Sequence, residues 1–157
     1  DHDNEEHQVD GSTARYWYPK YRQTHSKIRI VLEEIIGRKL YNTYYYERFY
    51  SSGQELWKHL DRPPCEISVS VHVSTNLKQP WPIFLKKPNS ENIGIELEAG
   101  DGLLYKGCER PHWREKMPED PKTKNLYYHN IFFHYVLQDG IRAHHAFDKA
   151  HDVFYKL

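Results

Sequence analysis

The chain has 157 residues, 38% of them hydrophobic and 28% charged, a length that predicts a single domain with a substantial core. Lys and Arg balance Asp and Glu at 22 each, for a formal net charge of zero, which argues against nucleic-acid binding through phosphates. No apolar run is long enough to span a membrane and no basic start leads into one, so neither anchor nor signal peptide is read, and the cytoplasm is the expected compartment.

In chain order, residues 1–11 (DHDNEEHQVDG) are acidic and polar and are expected to be disordered. In SKIRIVLEEII, residues 26–36, the apolar side chains Ile28, Val31, Leu32, Ile35 and Ile36 recur at helical spacing. Ser26 is the predicted cap of that helix and Gly37 its stop. KLYNTYYYERFY, residues 39–50, is aromatic and predicts a strand, and residues 51–64 predict a loop with at most one helical turn. CEISVSVHVS then alternates, with Ile67, Val69, Val71 and Val73 on one face and Glu66, Ser68, Ser70 and His72 on the other. WPIFLKK (81–87) and IGIELEA (93–99) predict two further strands, and the chain turns at Gly100-Asp101-Gly102 into another. A short strand is predicted to start at His112, and a long one spans 127–137 (YYHNIFFHYVL), ended by Asp139-Gly140. The tail from Ala143 is expected to form a short helix.

Helix followed by about seven or eight short strands is the pattern of a mainly β sandwich or barrel. At this size a double-sheet jelly roll, cupin-like and open at one end for a ligand, is the expected fold. The 13 Tyr residues suit a lined cavity in such a fold. Cys65 and Cys108 are too few for a disulfide framework and lack C-x-x-C spacing, so both are expected as free thiols.

Most of the 11 His residues are read as ordinary surface or core groups. His59 stands out for its company: in WKHLDR an imidazole and the Asp61 carboxylate are two residues apart and share a face if the segment is extended. One imidazole and one carboxylate are two thirds of the facial triad that holds non-haem Fe(II). The third ligand has to come from elsewhere in the chain, and His112 in KGCERPHWRE is the candidate. Arg114 shares its face; a cation aimed into a metal cavity needs an anion, and a carboxylate is the natural partner of a guanidinium.

On these residues, YYYERFYSSGQELWKHLDR resembles the entry to the catalytic core of 2-oxoglutarate- and Fe(II)-dependent oxygenases, in particular the prolyl-4-hydroxylase-like branch. The matching positions are Tyr50, Gly53, His59, Asp61 and His112, and EAGDGLLYKGCERPHWRE resembles the segment that leads to the distal His. The likeness runs from Tyr41 to Val136 and implies a double-stranded β-helix within a single domain spanning 1–157, with a catalytic core over 41–136. It implies Fe(II) on His59, Asp61 and His112, 2-oxoglutarate as co-substrate, O₂ as oxidant and ascorbate as an optional reductant. The implied substrate is prolyl residues of a protein or peptide; a free amino acid, a small metabolite or a modified base stays open. The family also presents a basic residue about ten positions after the distal His. Here Lys122 and Lys124 fall in a predicted loop and His129 at a strand edge, so strand parity favours Arg114, with Tyr50 and either Tyr46 or Arg48 adding hydrogen bonds. Tyr44, Tyr45, Arg48 and Trp57 are the positions where substrate could be met. Two rivals stand beside this reading: a non-catalytic jelly-roll binding or structural domain, and a cupin-like enzyme using His112, His129 and His134.

Overall fold

The computed structural model describes Val9 and residues 11–147. The expectation of disorder over 1–11 therefore falls mostly outside the described residues. Val9, however, is buried against Tyr50, Leu56 and Trp81. The predicted C-terminal helix is a single 3₁₀ turn over Ala143–His145, and residues 148–157 lie outside the described residues.

A short strand, β1 (Thr13–Tyr16), precedes a 3₁₀ turn at Pro19–Tyr21. The fixed φ of Pro19 starts that turn, so the helix α1 (Arg22–Ile36) begins four residues before Ser26. Ser26 is not its cap. Its hydroxyl instead accepts a hydrogen bond from Asn42 Nδ2 at 3.1 Å. Gly37 does stop the helix, at φ +75°, where a side chain would be strained. The buried stripe of α1 is narrower than its apolar spacing suggests: His25 and Leu32 are buried, whereas Ile30, Val31 and Ile35 are exposed.

Eight strands follow: β2 (Leu40–Ser51), β3 (Leu56–His59), β4 (Ile67–Thr75), β5 (Ile83–Lys86), β6 (Asn92–Ile95), β7 (Gly102–Tyr105), β8 (His112–Arg114) and β9 (Tyr127–Leu137). They form a five-stranded sheet, β1-β2-β9-β4-β7, and a four-stranded sheet, β3-β8-β5-β6, antiparallel throughout. This is the expected double-stranded β-helix. The segment predicted as a loop before His59 is strand β3, because Leu56 is buried and pairs with Arg114 across to β8.

The alternation of β4 was correct, but both of its faces are covered. Ile67 and Val69, with Val71 and Val73, pack with Leu32 of α1, Tyr45, Ile131 and Phe133 on the outer face of the large sheet. Ser68, Ser70 and His72 face the interior between the sheets and are buried as well. There His72 stacks on Tyr128, with ring centroids 4.0 Å apart, and Asn130 Nδ2 donates to Ser70 Oγ at 2.7 Å. Buried polar groups cost free energy unless something pairs with them, and here Ser68, Ser70 and His72 find partners on β9. Among the described residues no helix is long and apolar enough to cross a membrane.

Candidate metal centre

Antiparallel pairing of β3 with β8 sets His59 directly opposite His112. The imidazole centroids are 4.3 Å apart. Asp61 lies just beyond β3, its backbone N–H donating to Gly107 O at 2.9 Å, and this bond turns the carboxylate toward the two rings. His59 Nε2 and His112 Nε2 each lie 3.2 Å from the same oxygen, Asp61 Oδ1. The three groups predicted from opposite halves of the chain thus converge on one point.

Their protons sharpen the picture. His59 Nδ1 bonds Trp57 O at 2.6 Å and His112 Nδ1 bonds Arg110 O at 2.8 Å. A carbonyl only accepts, so both Nδ1 atoms carry hydrogen, and each Nε2 facing the carboxylate is left to hold either a proton, which it donates to Asp61, or a metal. Lone pairs gathered this closely need a cation between them, either a proton or a metal. Asp61 Oδ2, also buried, has no hydrogen-bond partner at all. Burial alone would raise the Asp61 carboxyl, yet the charge of His112 and hydrogen bonds from both imidazoles hold it below the usual carboxylate range. Burial would likewise lower His112, and the Asp61 carboxylate beside it outweighs this and raises it. Two imidazoles and a carboxylate on one face of a small cavity, with a carboxylate oxygen left unpaired, fit a divalent first-row metal such as iron. The enclosed space is about 10 Å³, closed by Leu56, Tyr105 and Phe132, which is room for about one ion or water.

Gly107 makes this geometry possible. A Cβ there would stand 2.3 Å from Asp61 Oδ2 and 2.4 Å from Cys65 O, so only glycine lets the turn approach the carboxylate.

Arg114 shares the inward face of β8 with His112 and is itself buried. Its Nη1 donates to Trp81 O at 2.7 Å, while Nε and Nη2 have no hydrogen-bond partner. The guanidinium is caged by aromatic rings, 4.7 Å from Tyr128, 4.9 Å from Trp81 and 5.9 Å from Tyr50. The Tyr50 hydroxyl and Asn130 Oδ1 are also buried without partners. Elsewhere among the described residues Trp17 Nε1 and Asn42 Oδ1 share that condition.

Not every candidate joins the site. His129 lies on the outer face of β9, stacked on Phe49 and 2.8 Å from Glu47 Oε1, so the sheet separates it from the triad. It is not placed to hold a co-substrate there, and the rival set of His112, His129 and His134 does not converge. Lys122 and Lys124 are exposed in a loop. Tyr45 is on the outer face and Tyr44 is fully buried, which leaves Trp57 as the exposed member of the suggested substrate contacts. Sequence reasoning missed Trp81 and Gly107 as site residues. Neither carries a local signal, because Trp81 meets Arg114 and Gly107 meets Asp61, each more than 20 positions away in the chain.

No family model matches the sequence, and no curated protein matches it. Among solved structures, a prolyl-4-hydroxylase from Pseudomonas putida superposes with a TM-score of 0.59 at 13% identity, over 79% of this chain and 72% of that one. The viral collagen prolyl hydroxylase of Paramecium bursaria Chlorella virus-1, solved with 2-oxoglutarate (2OG), gives 0.56 at 13% identity, over 85% and 83%. A 2OG-Fe(II) oxygenase family protein from Burkholderia pseudomallei gives 0.54 at 11% identity, over 68% of this chain and 49% of that one. The chain has the prolyl-4-hydroxylase-like fold of the 2OG-Fe(II) oxygenases.

Proposed function

We propose that the protein is an Fe(II)- and 2-oxoglutarate-dependent oxygenase in which His59, Asp61 and His112 hold the iron. The observation that carries this reading is the meeting of two oriented Nε2 atoms on one oxygen of a buried carboxylate, each at 3.2 Å. When bound, iron with 2-oxoglutarate and O₂ supplies the hydroxylation of a substrate C–H bond, releasing succinate and CO₂.

The chain's own part is orientation and shielding. The Trp57 and Arg110 carbonyls fix the imidazoles as Nδ1–H tautomers. Arg114 takes the far carboxylate of 2-oxoglutarate with its unpaired Nε and Nη2, and the neighbouring Tyr50 hydroxyl adds a donor. The rings of Tyr128 and Trp81 keep water from that ion pair. The cavity at the triad has room for an ion only, so side chains lining it shift when the co-substrate enters. Peptidyl proline is the substrate class that the fold's relatives support.

The test is anaerobic reconstitution with Fe(II), followed by succinate measurement in the presence of 2-oxoglutarate and O₂, with and without a proline-rich peptide. Succinate that requires all three components supports the reading, and peptide-stimulated succinate with a hydroxyproline product supports the substrate. A protein that binds no divalent metal at His59, Asp61 and His112 overturns it.

A further inference from the structure

The triad is not the only set of ligand groups at this end of the interior. Asp61, Cys65 and His134 also present donor atoms that all lie within 4.8 Å of one another. Cys65 and His134 are each 2% exposed. We propose that these three residues form a second cation site, selective for a borderline-soft divalent ion such as Zn²⁺, that takes the Asp61 carboxylate as an alternative to the first, since the cavity has room for about one ion. The site stands on its own ligand geometry and does not depend on the oxygenase reading.

The hydrogen bonds already arrange its donors. Ser68 Oγ donates its one hydrogen to Cys65 O at 3.0 Å. It must therefore accept from His134 Nδ1, 2.8 Å away. His134 is thereby fixed with its proton on Nδ1 and its lone pair on Nε2, the tautomer of a metal ligand. Its ring lines the same cavity as Asp61. Cys65 Sγ lies 3.2 Å from the Tyr44 hydroxyl, which can donate to a thiolate. Asp61 uses Oδ1 toward His59 and His112 and keeps Oδ2 without a partner, close to the Gly107 turn that also touches Cys65 O.

Donor chemistry separates the two sites. Two neutral imidazoles and one carboxylate leave a divalent ion with a net positive charge and favour iron. Thiolate, imidazole and carboxylate give a neutral complex, favourable at this depth, and favour zinc, cadmium or cobalt. Binding displaces the Cys65 thiol proton to the solvent.

Titration of the metal-free full chain with Co²⁺, read in the near ultraviolet, tests this. We expect a thiolate-to-metal charge-transfer band that saturates near one equivalent. The band should persist in His59→Ala, His112→Ala and Cys108→Ser, disappear in Cys65→Ser, and need about tenfold or more additional cobalt in His134→Ala. No band in the unmodified protein, a band surviving Cys65→Ser, or a band lost with His112→Ala would each overturn the proposal. If Cys65→Ser does not fold, zinc-edge X-ray absorption on the unmodified protein decides: one sulfur neighbour at about 2.3 Å supports the site, and nitrogen and oxygen alone sink it. Fe(II) binding by the His134→Ala variant keeps a failure here distinct from a failure of the triad.

Discussion

The two faces of the five-stranded sheet differ in how they treat polar groups. On the outer face Glu47 is buried, but Arg15 Nε reaches it at 2.6 Å and His129 Nε2 at 2.8 Å. His25, under the same face, is pushed down to about 3 by burial and so stays neutral, its Nε2 donating to His134 O at 3.0 Å. In the interior bounded by the inner face, His112 is pushed up by Asp61, and Asp61 Oδ2, Arg114 Nε and Nη2, Tyr50 OH and Asn130 Oδ1 lack partners. Apart from Trp17 Nε1 and Asn42 Oδ1, the outer face buries polar groups after satisfying them, as a core does. The interior leaves donors and acceptors without partners, at a cost in stability that a bound ligand would offset.

Several changes break or sharpen this contrast. The largest effect belongs to Asp61→Ala, which removes the group both imidazoles face: Fe(II)-dependent succinate formation should fall to background while the circular dichroism spectrum is unchanged. Full turnover in that variant would erase the distinction between the faces. Phe133→Ala, on the outer face, should do the reverse, costing about 3–5 kcal/mol of stability in a denaturant melt and leaving the iron stoichiometry intact. Gly107→Ala forces the turn off the carboxylate and should weaken Fe(II) binding by about 10- to 100-fold in a chelator competition. Arg114→Ala should raise the apparent KM for 2-oxoglutarate by about tenfold, the scale of one hydrogen bond to a charged group, without releasing iron. An unchanged KM would move the anchor elsewhere.

The histidines give the smallest and most diagnostic effect, through pH. His112 is raised by Asp61 in the metal-free protein, so protons compete with metal from above pH 6.5, the model-peptide value, downward. Metal affinity should rise with pH above 6.5 and level off once His112 is deprotonated. In the metal-free protein the raised His112 adds stability that is complete below pH 6.5 while Asp61 stays ionised, and that is lost as pH rises through the raised value of His112. His25 has the opposite sign: its depressed value adds stability present above about pH 6.5, lost as pH falls toward about 3. A His25→Phe variant that keeps the metal-free protein's acid sensitivity over that window would assign it to another group.

Much of the fold was legible. The helix over 26–36, the alternation of β4 and the long aromatic strands rest on local periodicity, which a linear sequence carries in full. The pairing of His59 with Asp61 was legible for the same reason, because i and i+2 share a side of an extended segment. Strand β3 was missed, since its four residues, LWKH, show no alternation and are held in place by β8.

By itself the sequence determined which residue types could bind a metal and that the chain would build two packed sheets, because side-chain chemistry and periods of two and 3.6 are local properties. Only the tertiary structure decided that Arg114 lies inside an aromatic cage and His129 on the far side of the sheet, or that Gly107 supports Asp61. Those placements follow from strand register across residues distant in the chain, where a shift of one position sends a side chain to the opposite face.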